Sequence, residues 1–346
     1  MEQLTDHPSI NHPSYFLQSS FLPCGTKLFF TSYRTGEAQL FELQIEDRSV
    51  RQLTTGGAIH PFSAAYDDTR KEIVFTRGGS IWAVNPETLG QRMIAEVAGA
   101  QFGEPSLSPC GGYATAAYKD ASGQGLVVAR MDGQGAHTIP FPLTIIHPQF
   151  HPLEPEWIEF AGDPAPRMHR VRRDGTGMEC LYEHGNDEFV VHETFLGATG
   201  AIVFTVWPLA LCTLDWTTRE VKTLARHNCW HISPDRAGRR VLFDTNHPDR
   251  GIQVIDVASG VIRDICRPEA SNGGSQWKTS RYALAADFEA ARSVVGRNLS
   301  WMESGVDTVY GPQYTHPHPS WSRDEKTIAF ASDRTGYPQV YIADVD

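Results

Sequence analysis

The chain has 346 residues and a formal net charge of −11, and no basic run stands out along it, which argues against a nucleic-acid partner because a phosphate backbone needs a basic face. No apolar run is long enough to span a bilayer, and Met1-Glu-Gln-Leu-Thr-Asp-His7 lacks the charged-then-apolar pattern of an export signal. The six cysteines (24, 110, 180, 212, 229 and 266) are scattered without paired spacing, so reduced thiols in a soluble, cytoplasmic protein with no membrane partner are expected.

The first clear element is Lys27-Leu-Phe-Phe-Thr-Ser32, followed by a turn at Arg34-Thr-Gly36 and a second strand, Gln39-Leu-Phe-Glu-Leu43. Both runs alternate with period two. Weaker copies follow in order, with cores at Ile73-Val-Phe75, Ala114-Thr-Ala-Ala117, Trp157-Ile-Glu-Phe160, Ala201-Ile-Val-Phe204 and Val241-Leu-Phe243. The last copy is the closest to the first. Phe30, Ser32, Arg34, Thr35, Gly36 and Gln39 recur as Phe330, Ser332, Arg334, Thr335, Gly336 and Gln339. Repetition at roughly forty residues is the signature of four-stranded propeller blades. Residues 272–310 have no counterpart in the other units and are expected to be an inserted loop, with a short helix around Leu284–Arg292.

The ends complement each other. The first unit finishes with Arg51-Gln-Leu-Thr54, the last stops before any such strand, and the N-terminus offers Glu2-Gln-Leu-Thr5. The fold predicted is all-β: a single seven-bladed β-propeller over 1–346, its ring closed by the N-terminal strand joining the last blade, which leaves no unpaired edge. Propellers host enzymes, scaffolds and ligand binders alike, so the function has to be argued from side chains.

The richest chemistry lies in Gln313-Tyr-Thr-His316-Pro-His318-Pro-Ser-Trp321. Pro317 and Pro319 disfavour helix, and on an extended strand residues i and i+2 share a face. His316 and His318 would then share one divalent ion, with the Gln313 carbonyl in reach. Most units also open with His or an acid before their first strand: His60, Glu104, His147, His192, His231 and His316. First strands line the channel of a propeller, so these residues are expected to converge at one end of it. His247 competes with His231 as a third histidine ligand, but it lies beyond the second strand of its blade. His7, His12, His137, His169, His184 and His227 read as ordinary surface or turn residues.

These residues resemble the oligogalacturonate lyase family. The resemblance is carried by Gln313-x-x-His316-Pro-His318-Pro-Ser with the terminal Ser332-Asp-Arg-Thr-Gly336, and by Ile146-His-Pro-Gln-Phe150. It also includes Arg167-Met168 with His192-Glu-Thr-Phe195, and Cys229-Trp-His231-x3-Asp235. The chain is shorter than expected for the family and departs from its motif around His192 and His231. The resemblance implies a cytoplasmic seven-bladed propeller that degrades short pectin fragments with a divalent metal, usually manganese. It implies His231, Gln313, His316 and His318 as metal ligands, His192 as catalytic base and Arg167 as a contact to the substrate carboxylate.

Elimination across C4–C5 of a uronate removes a proton alpha to a carboxylate, and a bound divalent cation would offset the charge that develops. A neutral imidazole suits the base, and a nearby Arg167 would lower its pKa. The acid that protonates the departing O4 is left open between water and another histidine, His147 or His151. Arg167 has a plainer reading as a loop partner of Asp163 or Asp174. Trp277, Arg281 and Tyr282 would form a lid or a packed loop. The same chemistry on another uronide, or a non-catalytic propeller binding a sugar or protein, are the alternatives. A serine hydrolase is disfavoured because no Gly-x-Ser-x-Gly elbow occurs.

Overall fold

The computed structural model describes residues 1–185, 187–245, 249–272 and 313–345. The proposed insertion at 272–310, Trp277, Arg281, Tyr282, the helix around Leu284–Arg292 and His247 therefore lie outside the described residues, Asn272 apart.

The described residues form seven four-stranded antiparallel sheets, six of them built from consecutive strands and the seventh completed by the N-terminal strand. Numbered from the N-terminus, the blades begin with inner strands Asn11–His12, Ala65–Asp67, Gln101–Leu107, Thr144–Phe150, Val190–Phe195, Ile232–Pro234 and Ser320–Trp321. The ring arises because each middle strand is apolar on both faces. In blade 1, Phe29 packs into one cluster with Ile73 and Phe75 of blade 2. Its neighbours Leu28 and Phe30 point the other way, into a cluster with Ala329 and Val340 of blade 7. Period-two alternation thus feeds two seams from one strand. The remaining seams carry their own apolar clusters.

In blade 7, Glu2–Gln3 pairs antiparallel with the chain's last strand, Gln339–Asp344. The local bonding copies blade 1. Thr5 Oγ1 donates to Gln339 Oε1 at 2.7 Å and accepts from the Val340 amide. Thr54 makes the same pair of bonds with Gln39 and Leu40. The recurring Gly36 and Gly336 close the turns between middle strands at φ of 93° and 104°, where a side chain is disfavoured.

The segment between the first two strands of blade 1 enters the central channel. There Tyr15 and Phe16 are buried, and Phe16 is 1% exposed. Its ring lies 5.3 Å from the rings of both His192 and His231, and 5.7 Å from that of His147.

Candidate metal centre

A repeated backbone device delivers the histidines. The inner strands of blades 4 and 5 each carry a bulge, between Ile146 and Gln149 and between Val191 and Thr194. His147 and His192 sit in these bulges at φ of 53° and 56°. Bulges re-aim side chains, and His tolerates the left-handed region better than most residues. The carboxylate of Glu104, on the inner strand of blade 3, also accepts the His147 amide, at 3.0 Å.

The Gln313–His318 motif is built differently from the extended strand expected. Gln313–Thr315 forms a 3-10 turn, His318 takes φ of 45°, and pairing begins only at Ser320. A left-handed residue after Pro317 turns the chain into the blade, so the two imidazoles meet through a corner rather than a pleat. Their centroids are 5.9 Å apart and their planes 27° from parallel. The Gln313 side chain lies outside the described structure.

His231, just before the inner strand of blade 6, completes the cluster. Its ring lies 4.0 Å from that of His318 and 5.4 Å from that of His316. One ligand nitrogen from each residue falls within 4.8 Å of the others, and all three side chains are buried. This is close to the span of two metal–nitrogen bonds of about 2.1 Å each. The donor set fits a divalent ion that accepts imidazole nitrogen. His318 is held well below the usual histidine range by burial, and then by His231 and His316. It is therefore neutral, as ligation requires.

Asp244 anchors this arrangement. Its carboxylate accepts His231 Nδ1–H and the His231 amide, each at 2.8 Å, and the His318 amide at 3.3 Å. A proton fixed on Nδ1 would make Nε2 the atom that could ligate a metal, the usual service of a carboxylate behind a metal-binding histidine. Burial pushes the Asp244 carboxyl up to about 7, against the lowering effect of the His231 amide bond.

His192 lies beside the cluster, its ring 4.7 Å from that of His231. Packing holds it: Trp230 meets it edge-on at 4.4 Å and Phe16 at 5.3 Å. Its Nδ1 has no hydrogen-bond partner among the described residues. Burial, and then His231 and His147, hold its pKa well below the ordinary value. Arg167 adds to this in the expected direction, but as a minor cause.

Arg167 is buried, not a surface loop residue. Its Nε and Nη2 hold the Glu193 carboxylate at 2.6 and 3.2 Å, and Nη1 donates to Asp163 at 2.8 Å. The pairing with Asp163 was anticipated, whereas Glu193 and the depth of burial were not. Burial works to raise the Glu193 carboxyl, but Arg167 and His147 outweigh it and keep it ionised. Glu159 behaves oppositely, since burial and the charge of Glu193 push it well above the usual range.

His147, His192, His231, His316 and His318 converge as the topology implied. His151 does not join them. Its Nδ1 accepts the Leu153 and Glu154 amides and its ring packs on Trp216, so it caps a turn. His12 was read as an ordinary residue, yet it is fully buried and its ring lies 4.5 Å from that of Phe62. Burial first, with His60 adding to it, lowers its pKa to about 4.

Sequence reasoning also missed Tyr15, Phe16, Glu193 and Asp244. Asp244 had left a signal. Aligning the second strands on Phe30, Phe75, Phe160, Phe204, Phe243 and Phe330 puts Thr31, Thr76, Ala161, Thr205 and Ala331 in register with Asp244. One blade carries an acid where the others carry a small neutral residue.

No family model matches the chain. It is 23% identical to the oligogalacturonide lyase of Pectobacterium atrosepticum, an alignment covering 99% of this chain and 92% of that protein. It is 22% identical, with the same coverage, to the oligogalacturonate lyase of Dickeya dadantii. A solved oligogalacturonate lyase in complex with manganese superposes with a TM-score of 0.80 at 20% identity, covering 99% of this chain and 92% of that one. At that identity the superposition establishes the seven-bladed propeller fold. With two such relatives matched along nearly its whole length, this chain is similar in sequence and fold to the oligogalacturonate lyases.

Proposed function

We propose that the chain is a lyase that breaks oligogalacturonides, short fragments of pectin, by metal-assisted β-elimination to 4,5-unsaturated uronates. The observation that carries this reading is one buried locus where three imidazoles meet and a fourth, His192, stands 4.7 Å from the nearest. His231, His316 and His318 would hold a divalent cation together with Gln313, manganese being the ion named for the solved relative. Such an ion, when bound, offsets the charge that builds on a uronate carboxylate as the C5 proton leaves. Imidazole binds a metal in its uncharged form, so histidine ligands would leave that positive charge undiminished.

His192 takes the C5 proton. Burial keeps its imidazole neutral and ready to accept, and its aromatic neighbours fix the ring plane without consuming a nitrogen. Arg167 contributes a fixed positive charge that helps to hold His192 unprotonated. Its guanidinium already grips Glu193 and Asp163, so contact with a substrate carboxylate would require sharing it with them. Oligogalacturonate and manganese added to the protein should produce absorbance from a 4,5-unsaturated uronate. Folded, manganese-loaded protein that gives no such signal would overturn the reading.

A further inference from the structure

The elimination needs a proton for the oxygen that leaves C4, and four residues joined through one carboxylate lead toward such a donor. The Tyr15 hydroxyl lies 3.0 Å from His147 Nε2, its only side-chain hydrogen bond among the described residues. His147 Nδ1 faces Glu193 Oε2 at 3.5 Å, and Glu193 is gripped from behind by the Arg167 fork. Tyr15 reaches this place from blade 1, on the segment that fills the channel. Its ring lies 5.0 Å from that of His318 and 5.5 Å from that of His147. The hydroxyl thus stands between blade 4 and the imidazole cluster, and the His147 and His192 rings are 5.9 Å apart.

Resting on the lyase reading above, the geometry points to Tyr15 as the catalytic acid that protonates the departing O4, with His147 and Glu193 as the residues that position its hydroxyl. In the step, the C5–H bond breaks and its proton passes to His192. The freed electron pair forms C4=C5, and the C4–O4 bond breaks with its pair going to O4. O4 takes the proton of the Tyr15 hydroxyl. The enzyme ends with His192 protonated and Tyr15 ionised, and exchange with solvent restores both.

The test compares two leaving groups. Tyr15→Phe keeps the ring packing and deletes the hydroxyl. On oligogalacturonate its kcat should fall about 100-fold, within the range for loss of a general acid, with KM changed less than about threefold. Manganese affinity by titration calorimetry should match that of the unaltered protein. On a uronide bearing fluoride at C4, which departs with less need of a proton, the same variant should lose less than about fivefold. His147→Gln, which can still hydrogen-bond the hydroxyl but holds it less rigidly, should show a smaller defect with the same dependence on leaving group. Equal losses on both substrates by a folded Tyr15→Phe protein, or no loss on either, would overturn the assignment. If the unaltered protein turned over neither substrate, the lyase reading itself would fail instead.

Discussion

Replacing Asp244 with asparagine should weaken divalent-metal binding without removing any metal ligand. The carboxylate accepts three hydrogen bonds: from His231 Nδ1 and the His231 amide at 2.8 Å each, and from the His318 amide at 3.3 Å. Asparagine offers one carbonyl oxygen and one NH2. If the oxygen keeps the His231 amide, the NH2 replaces Oδ2 and faces both the imidazole Nδ1–H and the His318 amide. The ring then shifts its proton to Nε2, which removes the lone pair a metal needs, or leaves a buried donor unpaired at a cost of about 1–3 kcal/mol. Loss of such an outer carboxylate lowers metal affinity by roughly 10–100-fold, about 1.4–2.7 kcal/mol. Titration calorimetry with Mn2+ on Asp244→Asn measures this directly. Asp235→Asn is the control, since that carboxylate binds Arg239 and Arg240 in the same blade. An Asp244→Asn protein that binds Mn2+ within twofold of the unaltered chain would refute the anchoring role.

His192→Ala should lower kcat on oligogalacturonate by at least about 100-fold while leaving Mn2+ affinity within about threefold; a variant retaining full turnover would remove His192 as the base. Chelation should lower the melting temperature, and Mn2+ at a hundred times its Kd should restore about 2.7 kcal/mol, so identical melting curves with EDTA and with Mn2+ would contradict a folded-state metal site. His12 should make the fold acid-sensitive: its pKa is about 4 in the folded chain and 6.5 in the reference state, so the unfolded state binds the proton first. Its stabilising contribution is complete above pH 6.5 and is lost as the pH falls toward 4, by about 3 kcal/mol. Urea melts of His12→Phe at pH 7 and 4.5 should show a pH dependence smaller by about that amount, and an unchanged dependence would sink the argument.

The parts of this molecule legible from sequence are those encoded by local repetition. Phe30-Thr-Ser32 and Phe330-Ala-Ser332 announce equivalent strands because each middle strand must be apolar on both faces to serve two seams. The inner-strand histidines were legible for the same reason, since blade register puts His147, His192 and His231 at one height. Backbone direction at single residues was not. Period two puts His316 and His318 on one face only if both are extended, and φ of 45° at His318 breaks that premise. Tyr15 and Phe16 were hidden because a channel plug depends on contacts with blades 4 to 7, more than a hundred residues away. Arg167 was half legible. Asp163, four residues away, was a visible partner, whereas Glu193 in the next blade was not.

The distribution of charge around the channel explains how one site could hold a cation and a neutral base side by side. Ionised groups are kept on the blade 4–5 side, where Arg167, Asp163 and Glu193 compensate one another in a dry environment. The blade 6–7 side presents imidazoles, with Asp244 set behind His231. Were Glu193 aimed at His192 instead of at Arg167 and His147, its charge would raise the pKa of that imidazole and favour the protonated form. The bulge at Val191–Thr194 limits this effect, because it turns His192 and Glu193, adjacent in sequence, toward different partners. His192 meets Trp230 and His231, while Glu193 meets Arg167. A single extra residue in an inner strand therefore separates the proposed base from the carboxylate that would otherwise keep it protonated.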